Sequence, residues 1–147
     1  MIHPSVKIGK FCSIDEDVEI GEGTTIKDYV EIRKGTVIGK FCYVDSRVSF
    51  SGDCKIGDKV VLRYDTIIAR GCDIGDECFL APRVMTNNLD AGINKIGGAK
   101  LGKRVFIGTN TVLHHGIEIV DDVKVGAMSF VNKNLMEKGT YFGNPVK

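Results

Sequence analysis

The sequence has no tryptophan, three prolines and few aromatic residues, which make up 7% of its 147 positions. Lys and Arg number 20 and Asp and Glu 19, so the chain lacks the basic excess of proteins that hold nucleic acid or anionic membranes. No apolar run approaches the roughly 18 residues that cross a bilayer, and the start of the chain lacks the pattern of a signal peptide. These absences predict one soluble, unprocessed domain over residues 1–147, without nucleic-acid or membrane partners.

Metal-binding spacings are missing as well, because no CxxC or CxxH pair occurs. The five cysteines are Cys12, Cys42, Cys54, Cys72 and Cys78. Every separation between them is a multiple of six residues, which is not expected of a disulfide scaffold. We interpret them as small buried residues and predict a reducing, cytoplasmic compartment and no metal site.

A six-residue period runs through most of the chain. Large apolar residues recur at every sixth position from Ile2 to Leu80, and the count resumes in a new phase from Leu101 to Val131. A second column of small or β-branched residues lies two positions earlier and contains all five cysteines. A helical period of 3.6 cannot produce this repeat, so the sequence predicts short strands rather than amphipathic helices.

Glycine often follows the large residue, and we expect it to supply unusual backbone dihedrals at corners. The series Gly21, Gly39, Gly57 and Gly75 recurs every 18 residues, so three short strands should complete one circuit. The predicted fold is all-β, a parallel β-helix of about seven coils shaped as a triangular prism. We place its coils at residues 1–86 and 99–131 and a C-terminal tail at 132–147.

The interruption of the period predicts one extruded loop at about residues 87–98. Counting by six leaves about nine residues in excess between Thr86 and Ala99. Loops held by a rigid scaffold often carry function, although a tolerated surface insertion would look the same.

The hexad motif, a large aliphatic residue followed by Gly and four others, resembles that of the hexapeptide-repeat acyltransferases. Residues 76–88, which end in Thr86-Asn87-Asn88, and the ending Gly143-Asn144-Pro145-Val146-Lys147 are similar to segments of their nucleotide-linked amino-sugar N-acetyltransferases. Asn88, Met128 and Val146 depart from that family's pattern. The resemblance implies a left-handed β-helix, a homotrimer with sites between prisms, and acetyl transfer from acetyl-CoA.

The resemblance also suggests residues for the two substrates. The acceptor, a nucleotide-activated deoxysugar with a dTDP or UDP group for surface glycan biosynthesis, would be bound by Arg83, Asn87 and Asn88. For acetyl-CoA, the resemblance points to the late coils, at Gly108, Gly126 and Ala127, with Lys133 available for a phosphate.

Candidates for catalysis are Asn87, Asp90, His114 and His115. Asn87 would orient the acceptor, and the base would be Asp90 or one of the histidines, since imidazole is the side chain most often used as a base at neutral pH. An amine needs less help from a base than an alcohol does, and residues 79–98 contain no histidine, which favours N-acetylation.

Two other functions stay open. If His114 or His115 is a base, O-acetylation of a sugar becomes the alternative. A non-catalytic β-helix that serves as a scaffold or binding subunit is the other. A three-histidine metal enzyme of the carbonic anhydrase type is disfavoured, because His3 should lie at the opposite end of the prism from the adjacent His114 and His115.

Overall fold

A computed structural model describes residues 1–94 and 96–147. The described residues form 21 short strands and no helix. In chain order the strands are β1 (Lys7–Ile8), β2 (Ser13–Ile14), β3 (Glu19–Ile20), β4 (Thr25–Ile26), β5 (Glu31–Ile32), β6 (Val37–Ile38), β7 (Tyr43–Val44), β8 (Ser49–Phe50), β9 (Lys55–Ile56), β10 (Val61–Leu62), β11 (Ile67–Ile68), β12 (Asp73–Ile74), β13 (Phe79–Leu80), β14 (Met85–Thr86), β15 (Lys100–Leu101), β16 (Phe106–Ile107), β17 (Val112–Leu113), β18 (Glu118–Ile119), β19 (Val123–Val125), β20 (Phe130–Val131) and β21 (Gly139–Tyr141).

The strands stack into three parallel sheets that form the walls of a triangular prism. The first sheet has eight strands in the order β1-β4-β7-β10-β13-β16-β19-β21, the second has seven from β2 to β20, and the third has six from β3 to β18. Before the interruption each rung pairs a residue with the one 18 positions later, as Ile26 pairs with Val44. The architecture matches a left-handed parallel β-helix of about seven turns, which confirms the predicted fold.

Coils are numbered here by their strand in the first sheet, so that β13, β14 and β15 form coil 5, and β16, β17 and β18 form coil 6. The first corner joins the first sheet to the second, the second corner joins the second sheet to the third, and the third corner leads on to the next coil. Equivalent corners of successive coils lie above one another, and each column of corners forms one edge of the prism.

The two apolar columns fill the interior. From Ile20 to Val131 the large residues are buried, with Thr86 as a polar member, and Cys42, Cys54, Cys72 and Cys78 are buried in the small column. Ile8 is 44% exposed and Cys12 half-buried, because coil 1 lies at the end of the prism and has no coil above it.

The glycines that follow the large residues serve a purpose different from the expected one. Gly39 does not have a positive φ, and a Cβ there would collide with the Asp58 carboxylate and with the backbone of the next coil. That carboxylate accepts a 2.8 Å hydrogen bond from the Lys40 amide. Left-handed backbone falls on other corner residues instead, including Phe11 and Tyr29. This column therefore needs glycine for space between coils rather than for its dihedrals.

Residues 132–147, expected as a tail, pack on the end of the prism. Leu135 is buried and pairs with Ile119, and β21 continues the first sheet beside β19. The six-residue count ends at Val131 because the next large buried residue, Leu135, follows after four positions instead of six. The Asn134 side chain accepts the Glu118 amide at 2.8 Å and so completes the shortened rung.

The outer surfaces of the three sheets differ in polarity, as shown by the first residue of each two-residue strand, which points outward. On the first sheet the middle coils carry Tyr43, Val61, Phe79 and Phe106, and on the second Ile67, Met85, Val112 and Phe130. The third sheet carries Glu19, Val37, Lys55, Asp73, Lys100 and Glu118. In coils 4 to 6 two adjacent outer faces are therefore apolar, in coils 1 and 2 the same faces carry polar residues, and the third face is mostly charged.

Among the described residues there is no helix with the length and apolar character needed to cross a membrane.

Candidate functional site

The structure divides the predicted site residues between two edges of the prism. Asn87, Asn88 and Asp90 lie at the second corner of coil 5, the two histidines at the second corner of coil 6, and Lys133 at that of coil 7. Arg83, Gly108, Gly126 and Ala127 lie instead at first corners of coils 5 to 7. Within one chain, the residues predicted for acetyl-CoA and those predicted for catalysis are therefore separated by the width of the second sheet, with Lys133 as the exception.

Thr86 is the last residue before the loop leaves the prism. Its side chain accepts a hydrogen bond between coils that a backbone carbonyl accepts in other rungs. Its buried hydroxyl accepts the Ala69 amide at 2.7 Å and donates to the Ile67 carbonyl at 2.9 Å. A threonine in a column of large apolar residues marks in the sequence the residue after which the chain departs.

The base of the loop is closed by the Asn88 carbonyl, which accepts the amides of Ile96 and Gly97 at 3.0 and 3.2 Å. Where the chain returns to the prism, the Gly97 carbonyl accepts the Gly116 amide at 3.0 Å. A Cβ on Gly116 would come within 2.8 Å of the Ile96 side chain. The loop thus rests directly on the corner that carries the histidines.

Asp90 organises the loop itself. Its carboxylate accepts the amides of Gly92 and Asn94 at 2.9 and 3.0 Å and the side-chain amide of Asn94 at 3.1 Å. These hydrogen bonds, chiefly those from Asn94, lower the pKa of Asp90. A carboxylate whose anionic form is held in this way is a weak base, so the geometry favours a positioning role for Asp90.

The two histidines form a close pair beside Asn87. Their ring centroids lie 3.8 Å apart at an angle of 41°. Phe130, which sequence reasoning missed, presents an edge-on contact to His114 at 5.5 Å. Asn87 lies one coil above His114, and its amide donates to the Leu113 carbonyl at 3.1 Å. A polar cluster therefore borders the apolar outer face of the second sheet.

The Nδ1 atoms of both histidines are buried and have no hydrogen-bond partner among the described residues. Buried polar atoms are nearly always paired, and exceptions are often found at functional sites. Each ring can still present Nε2 to a ligand. This edge thus combines imidazoles with the Asn87 amide, groups that can accept a proton and orient a polar substrate.

The first-corner residues offer fewer free amides than their positions suggest. The amides of Gly108 and Gly126 already donate to the carbonyls of Val125 and Tyr141, at 2.8 and 2.9 Å. A Cβ on Gly108 would meet Ala127 of the next coil. In the described part of the chain, Ala127 is the member of this set whose amide has no carbonyl partner.

Three grooves on the described residues lie away from these positions. A groove of about 500 Å³ lies near the start of the chain, against residues 19–22 and 37–40 and beside His3. It contains none of the predicted site residues. Within residues 1–94 and 96–147, no three His, Cys, Asp or Glu side chains come together as a metal site.

The thiols are part of the core. Burial raises the pKa of the Cys54 and Cys78 thiols to about 11. A nucleophilic cysteine requires a lowered pKa, so these thiols are structural, and no disulfide joins any of the five.

Comparison with known proteins places the chain in a family. The family model of the GMPPB C-terminal domain matches residues 1–81, more than half of the chain. The chain belongs to this family. No curated protein is significantly similar in sequence. Solved structures that share the fold include hexapeptide-repeat acyltransferases, so the predicted resemblance is confirmed.

Three of these solved structures show the extent of the likeness. A histidine variant of perosamine N-acetyltransferase from Caulobacter crescentus, in complex with CoA and GDP-perosamine, has 25% identity and a TM-score of 0.66, and the match covers 99% of this chain and 54% of that one. UDP-N-acetylglucosamine acyltransferase from Campylobacter jejuni has 18% identity and a TM-score of 0.63, with 100% and 73% covered. An N-acyltransferase from Bacillus cereus, in complex with dTDP and coenzyme A, has 19% identity and a TM-score of 0.51, with 96% and 81% covered. The chain spans about half the length of the structures it matches first.

Proposed function

We propose that the protein transfers an acetyl group from acetyl-CoA to an amino group of a nucleotide-activated deoxysugar, carrying dTDP or UDP, in surface glycan biosynthesis. The observation that carries this proposal is the edge where the loop meets Asn87, His114 and His115. The fold's likeness to an N-acetyltransferase that was solved with CoA and GDP-perosamine supports it.

In the proposed reaction an imidazole of the histidine pair accepts the proton that the sugar ammonium loses. The neutral amine nitrogen then forms a bond to the thioester carbonyl carbon, the bond from that carbon to sulfur breaks, and the second proton that the nitrogen loses passes to the departing thiolate to give coenzyme A as the thiol. Asn87, one coil above His114, would orient the acceptor by hydrogen bonds. Lys133, on the same edge as the histidines, is suited to hold a phosphate group of the donor, whereas the Ala127 amide lies on the first edge, across the second sheet from this site.

We further propose a homotrimer, as the resemblance implies. The apolar outer faces of the first and second sheets meet at the first edge, while the third face is charged. A ring in which the first face of one copy packs on the second face of the next would bury both and leave the charged face in solvent. The His114 edge of one copy would then border the first face of its neighbour, which would help close the site.

O-acetylation of a sugar is the alternative function. The observation in its favour is the imidazole pair with buried, unpartnered Nδ1 atoms. A non-catalytic scaffold is favoured by another, since the family match ends at residue 81, before every candidate site residue. The five free thiols support the cytoplasm as the compartment.

The test is a thiol-release assay with acetyl-CoA and a panel of dTDP- and UDP-linked amino sugars and hydroxy sugars. We expect turnover of an amino sugar, and a fall in kcat of about 10²-fold or more for His114→Ala or His115→Ala. His3→Ala, in coil 1, is the matched control and should be fully active. Turnover of hydroxy sugars alone would establish O-acetylation, and failure to bind acetyl-CoA would support the scaffold.

A further inference from the structure

Two basic side chains lie on the second edge, above the corner that carries the histidines. Lys34 is at the second corner of coil 2 and Arg70 at that of coil 4. Each follows a large buried residue by two positions, and Gly52 takes the same place in coil 3 between them. The Asp53 amide donates to the Lys34 carbonyl at 3.0 Å, and the Gly71 amide to the Gly52 carbonyl at 3.2 Å. A place without a side chain therefore separates two cations on hydrogen-bonded backbone.

The Arg70 guanidinium has a defined position at that place. A Cβ on Gly52 would lie 3.0–3.1 Å from three guanidinium atoms, so the group packs directly against the glycine. Its Nη1 atom donates to the Asp53 carboxylate at 2.6 Å. Within the described part of the chain, its Nε and Nη2 atoms have no hydrogen-bond partner, and the side chain is 40% exposed. Two donors of a preset guanidinium therefore remain available to a ligand.

The charges along this stretch favour an anionic ligand. The second corners of coils 2 to 4 contain three basic residues, Arg33, Lys34 and Arg70, and one acidic residue, Asp53, which gives a net charge of +2. The Lys34 ammonium has no carboxylate within 4 Å among the described residues. The corner of coil 1 is acidic, at residues 15–17, and limits the basic stretch on that side. A guanidinium with a nearby ammonium is suited to a phosphate group.

The height of the guanidinium along the edge suits an extended substrate. It packs against Gly52 of coil 3, three rungs above His115 of coil 6, and three rungs of roughly 4.8 Å make about 14 Å. A sugar ring, its anomeric oxygen and a diphosphate, laid out in a line, cover a distance of this order. A sugar nucleotide whose amine meets the histidines would therefore bring its diphosphate to Arg70, with Asn87 beside the sugar.

We propose that Arg70 and Lys34 bind the diphosphate of the sugar nucleotide, so that the acceptor lies along the second edge with its nucleoside towards coil 2. The inference rests on the proposed function and needs no contribution from Arg83, which lies on the first edge. Acetyl-CoA then approaches from the other end of the second edge, where Lys133 of coil 7 is suited to a phosphate. The reacting groups of the two substrates meet at coils 5 and 6.

Nucleotide binding measured by calorimetry tests this site without turnover. The probes are dTDP and UDP, with thymidine and uridine as probes that lack phosphate. We expect Arg70→Gln to raise the Kd of the bound nucleoside diphosphate about tenfold or more, because charge-assisted hydrogen bonds are lost. Lys34→Gln should raise it in the same direction by a smaller factor. Neither variant should change the weak binding of the nucleosides.

Arg104→Gln is the matched control. Arg104 also donates to an aspartate of a neighbouring coil, Asp122 at 2.7 Å, but it lies on the third edge. Its Kd for the nucleotides should stay within about twofold of the unmodified protein. Equal effects of Arg70→Gln and Arg104→Gln, an effect of Arg83→Gln in place of Arg70→Gln, or no binding of either nucleotide would overturn the proposal.

The thiol-release assay supplies a second measurement. Arg70→Gln should raise the KM for the sugar nucleotide about tenfold or more, and leave kcat and the KM for acetyl-CoA within about twofold. Arg70→Lys should be intermediate, because an ammonium keeps the charge and lacks the planar donors. A lower kcat with an unchanged KM would contradict the proposal. Nucleotide binding that depends on Arg70, without acetyl transfer to any sugar, would refute the proposed activity and leave this site standing.

Discussion

Replacing Thr36 by valine should stabilise the protein. Thr36 is fully buried at the second corner of coil 2, and its hydroxyl has no hydrogen-bond partner among the described residues. An unpaired buried hydroxyl costs about 1–3 kcal/mol, and valine has nearly the same shape without it. We therefore expect Thr36→Val to raise the free energy of unfolding by about 1–2 kcal/mol, or the Tm by roughly 2–8 °C.

Thr24→Val is the matched control and should have the opposite sign. The Thr24 hydroxyl, equally buried, donates to the Gly39 carbonyl at 2.8 Å and accepts the Cys42 amide at 3.1 Å. Its loss leaves a buried amide unpaired, at a cost of about 1–3 kcal/mol. Urea unfolding followed by circular dichroism, together with calorimetry, compares both variants. A destabilised Thr36→Val protein would show that this hydroxyl has a partner and would refute the reasoning.

Three further predictions concern packing, thiols and the loop. Gly39→Ala should lower the free energy of unfolding by about 1–3 kcal/mol because its Cβ has no space. Gly139→Ala should be tolerated, since the nearest atom to its Cβ is a Tyr141 ring carbon at 3.8 Å. Thermal unfolding of both variants tests this difference. Because burial raises the pKa of the Cys54 thiol to about 11, iodoacetamide at pH 8 should spare Cys54 and modify half-buried Cys12 first. The same raised pKa predicts that the free energy of unfolding falls as pH rises from about 9 towards 11. Modification of Cys54 before unfolding would contradict this. The lowered pKa of Asp90 predicts that loop amides stay protected in hydrogen exchange near neutral pH and lose protection only below about pH 4; Asp90→Ala should lose it at all pH values.

The fold could be predicted from the sequence because every rung buries residues at the same two positions of the hexad. A repeat of large and small side chains at intervals of six is visible without coordinates, and so is the excess of residues between Thr86 and Ala99. The ends were harder to predict. Leu135 completes the third sheet only because the Asn134 side chain replaces part of a corner, and no count by six finds such a substitution.

The site was less predictable, because it depends on which corner each residue occupies. The sequence presents Gly108 and His114 only six residues apart, yet they lie on different edges. The role of Asp90 also depends on contacts, since a carboxylate in a loop could be a base until its partners are known. Three of its hydrogen bonds come from Asn94, and the sequence alone does not show that these two side chains meet.

The constant advance of 18 residues per rung, seen where Ile26 pairs with Val44, limits how such a chain can change in length during evolution. An in-frame duplication or deletion of one full circuit would alter the number of storeys and leave every buried side chain in phase. A change that is not a multiple of six residues would bring charged residues into the bore unless, as at residues 87–98, the surplus bulges out at a corner.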